Sequence, residues 1–155
     1  MGIMAYFKDV IADAVKDARI AVELGVEHGE STRIILDSFD GELYSYDVQP
    51  PPDIEAPNWH FSDCGGVIGY ERWGNKKIDF LFVDTDPHSY EQTYLWCLTW
   101  FKKLKVGGIS LWHDTSLVRK GVNVRGALLD FAKYHKADLK FIDEDFGMGI
   151  MIRED

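Results

Sequence analysis

Cysteine is scarce in this 155-residue chain: Cys64 and Cys97 stand far apart, which excludes a disulfide framework and a Cys-rich metal motif. That usage fits a reducing, cytoplasmic setting. Long apolar runs are also missing, so no segment reads as a membrane span, and the N-terminus holds no signal-peptide core. Basic residues are outnumbered, 17 Lys and Arg against 26 Asp and Glu. The net charge of -9 gives a field that disfavours nucleic acid or anionic lipid as a partner. Proline is nearly confined to one place, with four of the five in "QPPPDIEAPN", which must be an irregular loop. Repeats and low-complexity tracts are absent. Apolar and aromatic residues are plentiful, with 46% hydrophobic content, five Trp, seven Tyr and nine Phe, and this excludes general disorder. The length suits one domain over residues 1–155.

Met4, Phe7, Ile11, Ala14 and Ala18 recur at three- and four-residue spacing and predict an opening helix. "RIAVELG", "LYSYDV", "WHFSDC", "DFLFVD" and "ISLWHD" predict five strands. "STRIILDSF", residues 89–105 and "GVNVRGALLDFAKYH" predict helices between and after them, the second closed by Gly107-Gly108. A weaker helix is expected in "GGVIGYERWGNKK", and "LKFID" with "GIMIRE" predicts a terminal hairpin. Strands alternating with helices imply an α/β, doubly wound, Rossmann-like sheet, mostly parallel with an antiparallel C-terminal hairpin. Ligands of such sheets bind beyond the carboxyl ends of the strands, where the winding reverses.

Three acidic or glycine-rich features fall at such ends. "ELGVEHGES" follows the first strand and opens a helix, and Gly25 and Gly29 let its backbone turn sharply and approach a ligand. The spacing is not that of a dinucleotide fingerprint, which disfavours a dinucleotide-dependent oxidoreductase. Asp47 ends the second strand about 20 residues further on, where an acid can hold both ribose hydroxyls; a solvated loop acid is the plain alternative. Asp63, past the third strand, is either an acceptor for an adenine amino group or a helix N-cap.

With these residues in order, the chain resembles the class I S-adenosylmethionine-dependent methyltransferases. "VELGVEHGEST", "FVDTDPHSYEQT" and "KVGGISLWHDT" resemble small-molecule O-methyltransferases grouped with rhamnosyl O-methyltransferases and cephalosporin hydroxylase-like proteins. The likeness runs from about Arg19 to the C-terminal hairpin. It implies that Glu23 and Gly25 flank the methionine part of S-adenosylmethionine, that Asp47 holds the ribose and Asp63 the adenine, and that Gly29, Ser31 and Asp84 also belong to the cofactor-binding set.

In that fold the fourth and fifth strands are neighbours, so "FVDTD" and "LWHD" bring Asp84, Asp86, His113 and Asp114 into one mouth. Crowded carboxylates repel unless protonated or bridged by a cation. A divalent ion, magnesium or manganese, is therefore expected, with Asp84 and Asp114 as ligands, His113 third and Asp86 the alternate. His88 is the expected general base, with a helix-start histidine as the plain alternative. Relatives commonly read D-x-x-H-x-Y, whereas Pro87 adds a residue here, so the loop must bulge and displace His88 or Asp84. The expected activity is metal-assisted O-methylation of a small hydroxylated molecule, such as a sugar. An inactive cofactor-binding or interaction domain on the same fold is the alternative. Little beyond the core fold is left to cover the site, so a homo-oligomer is expected.

Overall fold

The computed structural model describes residues 2–155. A short 3-10 turn over Ile3–Phe7 leads into α1 (Lys8–Val15), after which strands and helices alternate. They are β1 (Ile20–Leu24), α2 (Glu30–Ser38), β2 (Glu42–Asp47), β3 (Trp59–Asp63), α3 (Gly66–Trp73), β4 (Ile78–Val83) and α4 (Tyr90–Leu98). Then come β5 (Leu104–His113), α5 (Val124–Tyr134), β6 (Ala137–Ile142) and β7 (Met148–Arg153).

The seven strands form one sheet in the order β3-β2-β1-β4-β5-β7-β6. Pairing is parallel from β3 to β5 and antiparallel for β5 with β7 and β7 with β6, as expected. The all-apolar run of β4 is buried on both faces, which is why it lacks the alternation of a half-exposed strand. Phe80 and Phe82 join Phe7, Ile11, Val15 and Ile35 on the face covered by α1 and α2. Leu81 and Val83 join Trp96, Trp100, Leu128 and Phe131 on the face covered by α3, α4 and α5. The chain thus leaves β1 and β4 toward opposite faces, so the winding reverses at their carboxyl ends.

Two expectations need correction. The helix from residue 89 does not run to Lys105: α4 stops at Leu98, and a 3-10 turn over Phe101–Lys103 follows. Trp100 and Phe101 are both buried, and turning them onto the sheet breaks the helical path. The Gly107-Gly108 pair therefore lies inside the longer β5, not at a helix end. The weak helix expected around residues 65–77 does form, as α3. A Cβ on Gly66 would press on the Trp96 indole, so its glycine buys close packing of α3 over that ring.

No described helix is long and apolar enough to cross a membrane.

Candidate active site

The loop after β1 is shaped by its backbone. Gly25 has φ +87°, and its N–H donates to the Tyr46 carbonyl of β2 at 2.9 Å. A Cβ there would run into the Asp84 carbonyl, so the loop presses directly on the end of β4. Gly29 is the N-cap of α2 with no side-chain cap, which leaves first-turn amides open to a negatively charged group.

Asp47 is not a free loop acid. Its Oδ2 accepts from the N–H groups of Val26 and Glu27 at 2.7 and 2.9 Å, and its Oδ1 from that of Gln49 at 2.9 Å. Burial pushes its pKa up, but backbone bonds from Gln49, Glu27, Val26 and Val48 outweigh that and hold it below the usual carboxylate value. Asp63 sits opposite Asp47 in register and is exposed. The N-cap of α3 is Gly65, which uses no side chain, so Asp63 does not cap that helix.

Glu23 and Ser31 face each other within the protein. The Glu23 carboxylate is fully buried and accepts from Ser31 Oγ at 2.6 Å, Thr32 Oγ1 at 2.9 Å and Ser45 Oγ at 2.6 Å. Burial pushes its pKa up, the bonds from Ser31, Ser45 and Thr32 pull it back, and the charge of Asp84 adds a rise, to about 7 from 4.5. A folded value above the unfolded one means a contribution to stability that is fully present below pH 4.5 and lost as pH rises through about 7. The loss is roughly 3 kcal/mol. Glu23→Gln is therefore expected to flatten the pH dependence of unfolding free energy between about pH 5 and pH 8. Chemical denaturation across that range checks it, and an unchanged slope counts against it.

At the ends of β4 and β5, one ligand atom each from Asp84, His88 and Asp114 lies within 4.8 Å of the others. His88 Nε2 is 3.1 Å from Asp114 Oδ2 and 3.7 Å from Asp84 Oδ1. Asp86 approaches His88 at 3.4 Å, but its side chain is 99% exposed and stands outside the cluster. His113 is buried, with Nδ1 at 3.4 Å from Asp84 and 3.3 Å from Asp114. Burial lowers its pKa, but hydrogen bonds to Asp114 and Asp84 and their charges prevail and raise it to about 9. Burial likewise raises the Asp114 pKa, while His113, His88 and Arg119 together bring it below its ordinary value. The third group of the cluster is thus His88, where the sequence reading put His113 and then Asp86. The bulge expected from Pro87 does not pull Asp84 and His88 apart. His88 has φ +55°, and its N–H returns to the Thr85 carbonyl at 3.0 Å, so the turn closes under the imidazole.

Residues 22–115, more than half of the chain, match the family described as "Methyltransferase domain". The chain belongs to that family.

The methyltransferase has the fold of the class I S-adenosylmethionine-dependent enzymes, O-methyltransferases among them, as the sequence resemblance implied. It is similar to a Corynebacterium glutamicum protein with TM-score 0.74 and 13% identity, over 97% of this chain and 81% of that one. An O-methyltransferase from Bacillus cereus in complex with SAH (S-adenosylhomocysteine) gives TM-score 0.67 and 12% identity, over 96% and 79%. An rRNA methylase from Streptococcus thermophilus gives 0.64 and 14%, over 100% and 98%. At these identities the likeness is one of fold. No curated protein matches the chain.

Several site-shaping residues of this methyltransferase are absent from the sequence reading. Thr32 and Ser45 hold Glu23, and Asn123 donates its N–H to the His88 carbonyl at 2.9 Å. Ser45 carried a readable signal, since it shares the core face of Leu43 by the two-residue strand period and so demands a buried partner. Among the aromatics, Trp96 and Trp100 are buried in the core as their spacing implied. Trp59 packs on the α2 side, with its indole N–H on Ser45 Oγ at 2.9 Å. His28 is an exposed loop residue.

Proposed function

We propose that the chain transfers the methyl group of S-adenosylmethionine to a hydroxyl oxygen of a small molecule, at the mouth framed by Asp84, His88 and Asp114. The observation that carries this reading is the placement of that cluster against the glycine loop, with the backbone of Asp84 in contact with Gly25. The loop amides, Asp47 and Asp63 hold the cofactor on one side, and the acceptor lies on the other. His88 Nε2 takes the hydroxyl proton as the acceptor oxygen bonds to the methyl carbon. The carbon–sulfur bond breaks, and S-adenosylhomocysteine leaves. Asp114 faces the imidazole and steadies the charge it gains.

The donor set fits a divalent cation: the Asp84 and Asp114 carboxylates converge, and oxygen ligation suits magnesium or manganese while the His88 nitrogen stays free to take a proton. Asp84 and Asp114 would hold it, with His88 beside them. Such an ion would supply Lewis acidity, lowering the pKa of the acceptor hydroxyl. A metal-free site is the second reading, favoured by His113, whose Nδ1 stands 3.4 Å from Asp84 and 3.3 Å from Asp114 and so bridges the two carboxylates itself.

Calorimetry with S-adenosylhomocysteine, with manganese and then with EDTA, tests both readings. Cofactor binding is expected in each condition. Saturable manganese binding that Asp114→Asn removes supports the metal reading, and none leaves His88 and Asp114 acting alone. Absence of any binding by the wild-type chain to S-adenosylhomocysteine or S-adenosylmethionine ends the methyltransferase reading.

A further inference from the structure

Thr32 and Ser45 are, we infer, positioning residues for the cofactor loop, acting through the buried carboxylate of Glu23; the inference rests on the proposed use of that loop for S-adenosylmethionine. Both are fully buried, so neither is placed to touch a ligand. Thr32 Oγ1 donates to Glu23 Oε2 at 2.9 Å and lies 3.1 Å from Oε1. Ser45 Oγ donates to Oε2 at 2.6 Å and accepts from Trp59 Nε1 at 2.9 Å. One carboxylate therefore joins the end of β1, the first turn of α2, the middle of β2 and, through the indole, β3.

The joint has a consequence for geometry. Residues 25–29 span the short gap between Glu23 on β1 and the Ser31-Thr32 pair on α2. The ends of the loop are fixed by the same carboxylate, and Asp47 fixes its middle through Val26 and Glu27. The α2 N-cap has no side-chain bond of its own, so the hydroxyl clamp joins the Gly29 N–H bond to Val26 and the Arg33 side-chain bond to the His28 carbonyl in fixing the first turn. A carboxylate that bonds three hydroxyl donors and no cation also carries its interactions by direction, which suits setting an angle. Glu23 and Ser31 then serve the cofactor by shaping its loop, which differs from the contact role implied by resemblance.

The test compares Thr32→Val, which keeps shape and loses the donor, with Thr32→Ser, which keeps the donor, and adds Ser45→Ala. Calorimetric affinity for S-adenosylhomocysteine and urea stability are measured for each at one pH. Thr32→Val and Ser45→Ala are expected to bind about tenfold more weakly, and Thr32→Ser to recover most of that loss. Amide exchange at Gly29–Thr32 should quicken in Thr32→Val while β1 stays protected. Unchanged affinity with lowered stability would overturn the inference and leave the knot a fold-stabilising device. Uniformly faster exchange, should Thr32→Val unfold too readily for calorimetry, overturns it equally. A wild-type chain that binds no cofactor fails at the earlier reading and takes this one with it.

Discussion

In a His88→Ala variant, methyl transfer is expected to fall by about 10²–10⁴-fold, while affinity for S-adenosylhomocysteine stays within about threefold of wild type. The imidazole sits between Asp84, Asp86 and Asp114 and is closest to Asp114, at 3.1 Å. Its side chain is only 13% exposed, so few other groups could take its place at the mouth. Removing it takes away the proton acceptor and leaves Asp84 and Asp114 facing each other with His113 as their remaining partner. The cofactor loop is held by a separate set of bonds around Asp47 and Glu23, which is why binding and transfer should separate. The measurement is S-adenosylhomocysteine release with the acceptor from a panel of hydroxylated small molecules that gives the highest wild-type rate. A variant within tenfold of wild type would show that His88 only braces the turn.

Gly25→Ala is expected to cost about 4 kcal/mol of stability and to abolish cofactor binding at micromolar concentration. Two penalties add. The backbone at Gly25 has φ +87°, a region costly for a residue with a Cβ. The added methyl also meets the carbonyl of Asp84, a residue whose own N–H is bonded to the Leu24 carbonyl at 2.9 Å, so little can give way. Relief would require moving β1 and β4 apart at their carboxyl ends. Urea unfolding gives the stability and calorimetry the affinity. A loss below about 1 kcal/mol would mean that the loop tolerates another path.

Much of this molecule was legible from pattern. The apolar run of β4, the alternation in "LYSYD" and the glycine turn after β1 placed the sheet and its ligand-binding end, because strand period and burial follow directly from side-chain type. Family likeness then supplied the neighbourhood of Asp84 and Asp114. The errors came where tertiary demands outweighed local ones. Trp100 and Phe101 end α4 to reach the core, and the Gly107-Gly108 pair looked like a helix stop for want of that knowledge. Pro87 looked disruptive because an extra residue lengthens a loop, yet a left-handed His88 shortens it again. The hydroxyl set around Glu23 is spread over three elements, and sequence spacing alone does not reveal that convergence.

The bond from Asn123 N–H to the His88 carbonyl has a mechanical meaning. The loop after β4 is thereby fastened to the segment that starts α5. The β6–β7 turn is fastened to the end of β5 by Asp114 N–H on Gly147 and Ser116 N–H on Phe146, at 3.1 and 2.7 Å. Three connections that could have flexed separately make a single cross-braced collar around the mouth framed by Asp84, His88 and Asp114. A ligand bound at that mouth, as proposed, would meet segments whose ordering entropy was already lost on folding.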